Sequence, residues 1–283
     1  MIKKVGVIGI GQMGAGIAQV SAQAGYSVII NDISDELLQR GIRGITKLLD
    51  KAIEKGKLDQ AGKDKILANI KATTELAALS DCDIVIEAAT ENMAIKKEIF
   101  AELDKACKAE AIFATNTSSL PVGDLAASLK RRGQFVGLHF FNPVPVMKLV
   151  EVVKTLDTAD ETFKTAKTFA ESIGKTTVSA KDTPGFVVNA LLIPYLLDAI
   201  RQYENELATR EDIDNAMVLG CGHPMGPLTL TDFIGLDTTL YIADIMYDEF
   251  KDSHYAAPPL LRRMVNAGYL GKKSGHGFYD YSK

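Results

Sequence analysis

The chain has 283 residues, 47% hydrophobic and 24% charged, with 32 Lys+Arg against 36 Asp+Glu for a net charge of −4. This composition excludes a disordered, collagen-like or disulfide-stapled chain, and at ~150 residues per domain the length predicts about two domains. The acidic average argues against nucleic acid or an anionic membrane as partner, and no apolar run nears the ~18 residues that a membrane span needs.

The first ten residues run straight into a strand pattern, which predicts no cleavable signal segment. Three cysteines, Cys82, Cys107 and Cys221, lie far apart and form no CxxC. That usage predicts a reducing, cytoplasmic setting. No two of the four histidines have ligand spacing, so no metal is expected. Short apolar, β-branched runs at 5–8, 27–30, 83–86, 111–114 and 135–138 read as strands covered on both faces. Between them lie helical patterns. One begins at Ser34, an N-cap serine followed by Asp35 and Glu36. It carries an apolar stripe through Leu38, Ile42, Ile45, Leu49 and Ile53. Alternating strands and helices predict an α/β, Rossmann-like, doubly wound and mostly parallel sheet.

After Val178 no convincing strand appears. Thr183 reads as a cap with Pro184 at the first helical position, opening an apolar helix over 186–200 that contains Pro194. Thr209 and Asp212 open another helix in a capping arrangement. The boundary falls near residue 184, giving a cofactor domain of 1–184 and an all-helical domain of 185–283. The aromatic tail, residues 278–281, is expected to fold back on the protein.

Gly9-Ile10-Gly11-Gln12-Met13-Gly14 follows the first strand and opens a helix. The first glycine permits a tight turn, the second a close approach of pyrophosphate to backbone, and the third close packing of helix on strand. The helix N-terminus then offers N–H groups to the phosphates. The second strand ends at Asp32, 18 residues past Gly14, where a carboxylate can accept ribose hydroxyls and repel a 2′-phosphate. No Arg or Lys follows directly, so NAD is expected over NADP. The plain alternative is that Asp32 only caps a strand end.

Polar residues then appear where covered strands should end: Ser118 after one strand, His139 at the end of the next, and Glu151 as the single charge in 149–153. Ligands of such sheets bind beyond the carboxyl ends of the strands. A buried Glu151 needs a partner, and an imidazole serves. A histidine oriented by a carboxylate is a general acid/base pair, as alcohol oxidation by a nicotinamide requires. Asn189, in the apolar helix after Pro184, could donate to a substrate oxygen. Each of these residues also reads as ordinary: a satisfied core histidine, a structural carboxylate, a bond between helices.

The glycine loop, Thr115-Asn-Thr-Ser-Ser119, the run from Gly137 through His139, Asn142 and Pro143 to Glu151, Lys181-Asp-Thr-Pro-Gly-Phe-Val-Val-Asn189 and the segment from Gly271 to Tyr279 together resemble the L-3-hydroxyacyl-CoA dehydrogenase family over nearly the whole chain. The resemblance implies that His139 is the catalytic acid/base, that Glu151 orients it, and that Ser118 and Asn189 hydrogen-bond the substrate's C3 oxygen. It implies an NAD site lined by Gly9, Gly11, Gln12, Met13, Gly14, Asp32, Glu91, Lys96, Ser118, Asn142 and Lys273. An acyl-CoA is the implied substrate, and a homodimer formed through the helical domain the implied assembly.

CoA contacts are implied for the helix after the second strand. There Lys55 matches a family position, Lys51 lies four residues earlier on the same face, and Lys57 follows Gly56. Residues 40–71 hold nine basic and four acidic side chains, a net +5 within an acidic protein. Two other functions share this plan: a dehydrogenase of free 3-hydroxy or sugar acids, which needs no basic patch, and a non-catalytic NAD-binding protein, which would have lost Ser118, His139, Glu151 or Asn189.

Overall fold

The structure is a computed structural model and describes residues 2–282. It divides into two compact units, Met1–Thr183 and Pro184–Lys283. The first is built on eight strands among the described residues: β1 (Lys4–Ile8), β2 (Ser27–Asn31), β3 (Ile70–Thr73), β4 (Ile84–Glu87), β5 (Ile112–Thr115), β6 (Phe135–Phe140), β7 (Leu149–Lys154) and β8 (Thr176–Lys181). They form one sheet in the order β3-β2-β1-β4-β5-β6-β7-β8. Every neighbouring pair is parallel except β6 with β7.

Its helices are α1 (Gln12–Gln23), α2 (Asp35–Glu54), α3 (Gln60–Ala68), α4 (Met93–Ala106), α5 (Val122–Ala126) and α6 (Asp160–Ser172). The strand order reverses between β1 and β4, the topological switch point beyond which such sheets bind ligands. The expected fold, a mostly parallel doubly wound sheet followed by a helical domain, is the one observed.

Local chemistry explains the elements. All of β4, β5 and β6 is buried, as strands covered on both faces must be. Close packing demands small residues at two points: a Cβ on Gly6 would lie 2.3 Å from Leu79 Cδ2, and one on Gly137 would lie 2.7 Å from Val153 Cβ. Ser34 caps α2 by accepting from the Leu37 N–H, Asp59 caps α3 through Gly62, and Asn92 caps α4 through Ile95. Along α2 the buried residues Leu38, Ile45 and Leu49 form the predicted inward face.

Three strands were not among the five predicted. β3 and β8 are sheet edges whose sequences, Ile-Lys-Ala-Thr and Thr-Thr-Val-Ser-Ala-Lys, are polar because one side meets solvent. β8 also carries the last strand three residues beyond Val178. β7 holds Glu151, which interrupts its apolar pattern.

The second unit comprises α7 (Val188–Glu204), α8 (Arg210–Asn215), α9 (Pro227–Ile234), α10 (Leu236–Phe250) and α11 (Pro259–Asn266). Its core gathers Ile193, Leu197, Ile200, Leu228, Leu236, Ile242, Met246 and Leu261. Pro184 is not the first helical residue. A turn intervenes, with Gly185 at φ 83° and Phe186 at φ 47°, and α7 starts at Val188. The helix then runs through the buried Pro194. Thr209 caps α8 by accepting from the Asp212 N–H. The tail folds back as expected: Asp232 accepts from the N–H groups of Phe278 and Tyr279 and from the Tyr281 hydroxyl.

Candidate active site

Each of the three loop glycines meets a different demand. Gly9 has φ 88°, and a Cβ there would lie 2.6 Å from Ala89 Cα, across the β1–β4 switch point. A Cβ on Gly14 would lie 1.9 Å from the Gly9 carbonyl oxygen, so α1 could not start against β1 with any side chain there. Around Gly11 a Cβ would meet nothing within 4 Å. Its missing side chain serves no packing need of this chain, and the open space faces the first turn of α1, where Gln12 is exposed and Met13 half-buried. Backbone N–H groups fronting a space that a Cβ would fill fit the phosphates of a dinucleotide. Asp32, just past β2, accepts from the Ile10 N–H at 2.7 Å and from the Ile33 N–H at 2.7 Å. This carboxylate is therefore fixed at the mouth of the loop, with lone pairs left for further donors.

His139 and Glu151 meet because of register. β6 and β7 pair antiparallel with His139 directly opposite Glu151, so both side chains leave the same face. A slip of one residue would send the glutamate to the other face. Nδ1 of His139 lies 2.6 Å from Glu151 Oε2; the glutamate is wholly buried and the histidine 7% exposed. A carboxylate can only accept, so Nδ1 donates to Glu151, and Nε2 is the ring nitrogen left to exchange a proton with a substrate. The loop 141–148 that joins the two strands is fastened from below. Lys175, a buried lysine, donates to the carbonyls of Val144 and of Met147, the latter at 2.8 Å. Burial holds its ammonium below the ordinary lysine range. Val144 also packs over α1, where a Cβ on Gly16 would lie 2.7 Å from Val144 Cβ.

Ser118 sits half-buried in the turn after β5. Glu91 organises that turn: its Oε1 accepts from Thr117 Oγ1 at 2.6 Å, Ser118 N–H at 2.9 Å, Ser118 Oγ at 3.2 Å and Ser119 Oγ at 3.3 Å. Lys96, placed by resemblance along the NAD site, is fully buried and bonded to Glu87 at 2.5 Å. Sequence reasoning missed three supporting residues. Glu87 is wholly buried at the end of β4, and Thr115 donates to it at 2.9 Å. Asn116 Oδ1 accepts from the Phe140 N–H at 2.9 Å, beside His139. A charge closing an otherwise apolar strand was the available signal for Glu87.

The remaining candidates take these positions. Asn142 is exposed beside the cis peptide bond to Pro143. Lys51, Lys55 and Lys57 are exposed at or just after the end of α2. Asn189 is buried in the first turn of α7 in the helical unit. In that unit also, Lys273 lies 2.6 Å from Asp237. Among the described residues, no group of three or more His, Cys, Asp or Glu is placed to hold a metal ion, and no helix is long and apolar enough to cross a membrane.

Residues 4–183 match the family model for the 3-hydroxyacyl-CoA dehydrogenase NAD-binding domain, and residues 185–281 match the model for its C-terminal domain. The chain is 51% identical to a 3-hydroxybutyryl-CoA dehydrogenase of Mycobacterium tuberculosis over 282 residues, covering 99% of each chain. It is 50% identical to a probable 3-hydroxybutyryl-CoA dehydrogenase of Deinococcus radiodurans over 278 residues, covering 98% of this chain and 100% of the relative. Its structure is similar to the crystal structure of (S)-3-hydroxybutyryl-CoA dehydrogenase from Ralstonia eutropha, with a TM-score of 0.98 and 46% identity over 100% of each chain.

Proposed function

The chain belongs to the 3-hydroxyacyl-CoA dehydrogenase family, and from that premise we propose how its residues divide the work. It is an NAD-dependent oxidoreductase that interconverts (S)-3-hydroxyacyl-CoA and 3-ketoacyl-CoA, with 3-hydroxybutyryl-CoA and acetoacetyl-CoA as the short-chain pair. NAD, when bound, supplies the hydride acceptor for oxidation and, reduced, the donor for reduction.

The buried His139–Glu151 pair, 2.6 Å apart at the carboxyl end of β6, carries the mechanistic reading. In oxidation, His139 Nε2 takes the proton from the C3 hydroxyl as that carbon gives up its hydride. Glu151 stabilises the imidazolium that results. In reduction, the same nitrogen returns the proton to the C3 oxygen. Ser118 donates to the C3 oxygen as charge develops on it, and we assign Asn189 a second such bond. Gly9 to Gly14 and Asp32 hold the dinucleotide, with Glu91, Asn142 and Lys273 completing its site; Lys96, expected from the resemblance to line it, has no exposed surface and stands behind Glu91. Lys51, Lys55 and Lys57 receive the phosphates of CoA, and the net +5 of residues 40–71 supports this.

His139→Ala is the decisive variant. It should lose acetoacetyl-CoA reduction while NADH binding, followed by NADH fluorescence, persists; turnover near the wild-type rate would refute the assignment. Free acetoacetate reduced as well as acetoacetyl-CoA would refute the CoA assignment. A homodimer formed through the helical unit is supported by exposed Leu191, Leu219 and Phe233, and a sedimenting monomer would refute it. The cytoplasm is the proposed compartment, supported by three free thiols.

A further inference from the structure

Below the Ser118 turn lies a charge cluster that the proton and hydride steps do not use. Glu87 and Thr115 are register partners at the ends of β4 and β5, and Lys96 reaches them from the first turn of α4. The side chains of Glu87 and Lys96 have no exposed surface. Both glutamate oxygens are engaged: Oε1 accepts from the Ala89 N–H at 2.9 Å, and Oε2 accepts from Lys96 Nζ at 2.5 Å and Thr115 Oγ1 at 2.9 Å. For stability alone, an apolar pair of equal volume would serve as well as two buried ions. The ions add direction, because Lys96 Nζ also lies 3.9 Å from Glu91 Oε2. Glu91 thus presents one oxygen to the ammonium and the other to the donors of Thr117, Ser118 and Ser119.

We propose that Glu87 is a positioning residue for Ser118, acting through Lys96 and Glu91. Glu87 fixes the ammonium, the ammonium fixes the Glu91 carboxylate, and Glu91 collars the turn of residues 117–119. The two contacts to Ser118 have different tasks. Its N–H, at 2.9 Å, anchors the backbone. Its hydroxyl, at 3.2 Å, is the longer bond and can turn to a substrate oxygen without releasing the anchor. Lys96 is therefore a relay within the protein, reaching the site through Glu91. The inference rests on the reading that Ser118 hydrogen-bonds the substrate's C3 oxygen.

Glu87→Gln tests it, because glutamine keeps the shape and an acceptor for Ala89 but removes the charge that holds Lys96. In the protein without added nucleotide, amide hydrogen exchange over residues 117–119 should quicken by about tenfold or more while β1 and β2 keep their protection. The kcat for acetoacetyl-CoA reduction should fall by about tenfold or more, with KM changed by less than about threefold. In a Ser118→Ala background the same substitution should cost less than about twofold, since the two act on one contact. Thr115→Val, an isosteric change that removes a single bond to Glu87, should shift exchange in the same direction and serves if Glu87→Gln does not fold. Unchanged exchange over 117–119 in the variant that folds would overturn the proposal. So would kcat losses that multiply in the double variant. Wild-type turnover by Ser118→Ala would instead overturn the assigned role of Ser118, and the exchange result would still decide whether Glu87 orders the turn.

Discussion

Replacing Glu151 with glutamine removes one charge from the acid–base pair and little else. The side chain is wholly buried and its Oε2 lies 2.6 Å from His139 Nδ1. Glutamine can still accept from the Nδ1–H through its amide oxygen, so the same ring tautomer is kept. What is lost is the attraction between a carboxylate and the imidazolium formed as the proton moves. With charge centres about 4 Å apart and an effective dielectric of about 20, that attraction is about 4 kcal/mol. The net value of a hydrogen bond to a charged group, about 2 kcal/mol, sets the lower bound. In the oxidation direction the imidazolium forms as the hydroxyl proton is taken, so the difference falls on the chemical step. At 1.36 kcal/mol per decade, kcat should fall about 30- to 1,000-fold. NADH affinity and the thermal midpoint should hold, since the substitution removes a buried charge and leaves the volume unchanged. The assay is steady-state NADH formation from (S)-3-hydroxybutyryl-CoA and NAD, beside an NADH fluorescence titration and a thermal melt. A kcat within about threefold of wild type, with the protein folded, would refute the electrostatic role argued for Glu151.

Gly11→Ala and Gly14→Ala should part company: the first faces open space and should melt as wild type yet bind NADH about tenfold or more weakly, whereas the second, 1.9 Å from the Gly9 carbonyl, should also lower the thermal midpoint. An unchanged NADH affinity in Gly11→Ala would refute the phosphate reading. Iodoacetamide on the native protein should label the exposed Cys221, as mapped by mass spectrometry, and spare Cys82, whose thiol burial pushes up to about 12, and Cys107, raised by the same cause. Burial also raises the Asp232 carboxyl above its ordinary range, against the lowering effect of the Phe278 and Tyr279 N–H groups. In the window just above the ordinary carboxylate value the native state then holds more protons than the unfolded state, so this group's contribution to stability falls as pH rises. Asp232→Asn does not titrate, so the wild-type advantage in unfolding free energy should shrink from about pH 4 to about pH 7; an advantage that grows would refute the argument.

Much of this was legible because it is local. Ser34 and Thr209 lie beside the helices that they cap, and the glycine loop carries its own geometry over six residues. The edges were harder. β3 and β8 are polar because one of their sides has no strand partner, and a segment cannot announce its place at the end of a sheet order. The start of α7 was displaced from Pro184 to Val188 because Gly185 and Phe186 take positive φ, a turn that a proline at an expected first helical position concealed.

The sequence by itself determined the alternation that makes a doubly wound sheet, the phosphate-fitting turn with its acidic partner, and the presence of a serine and a histidine where strands end and of a glutamate inside an apolar run. Whether those side chains meet was decided by the tertiary structure. His139 and Glu151 are 12 residues apart and touch only through the antiparallel register of β6 and β7. Glu87 reaches Thr115 across 28 residues through the parallel register of β4 and β5, and Lys96 becomes a buried ion only once α4 has packed. Register and burial are properties of pairs of segments. A single segment can state which chemistry it carries, and only its neighbour fixes the face, distance and solvent exposure that turn that chemistry into a site.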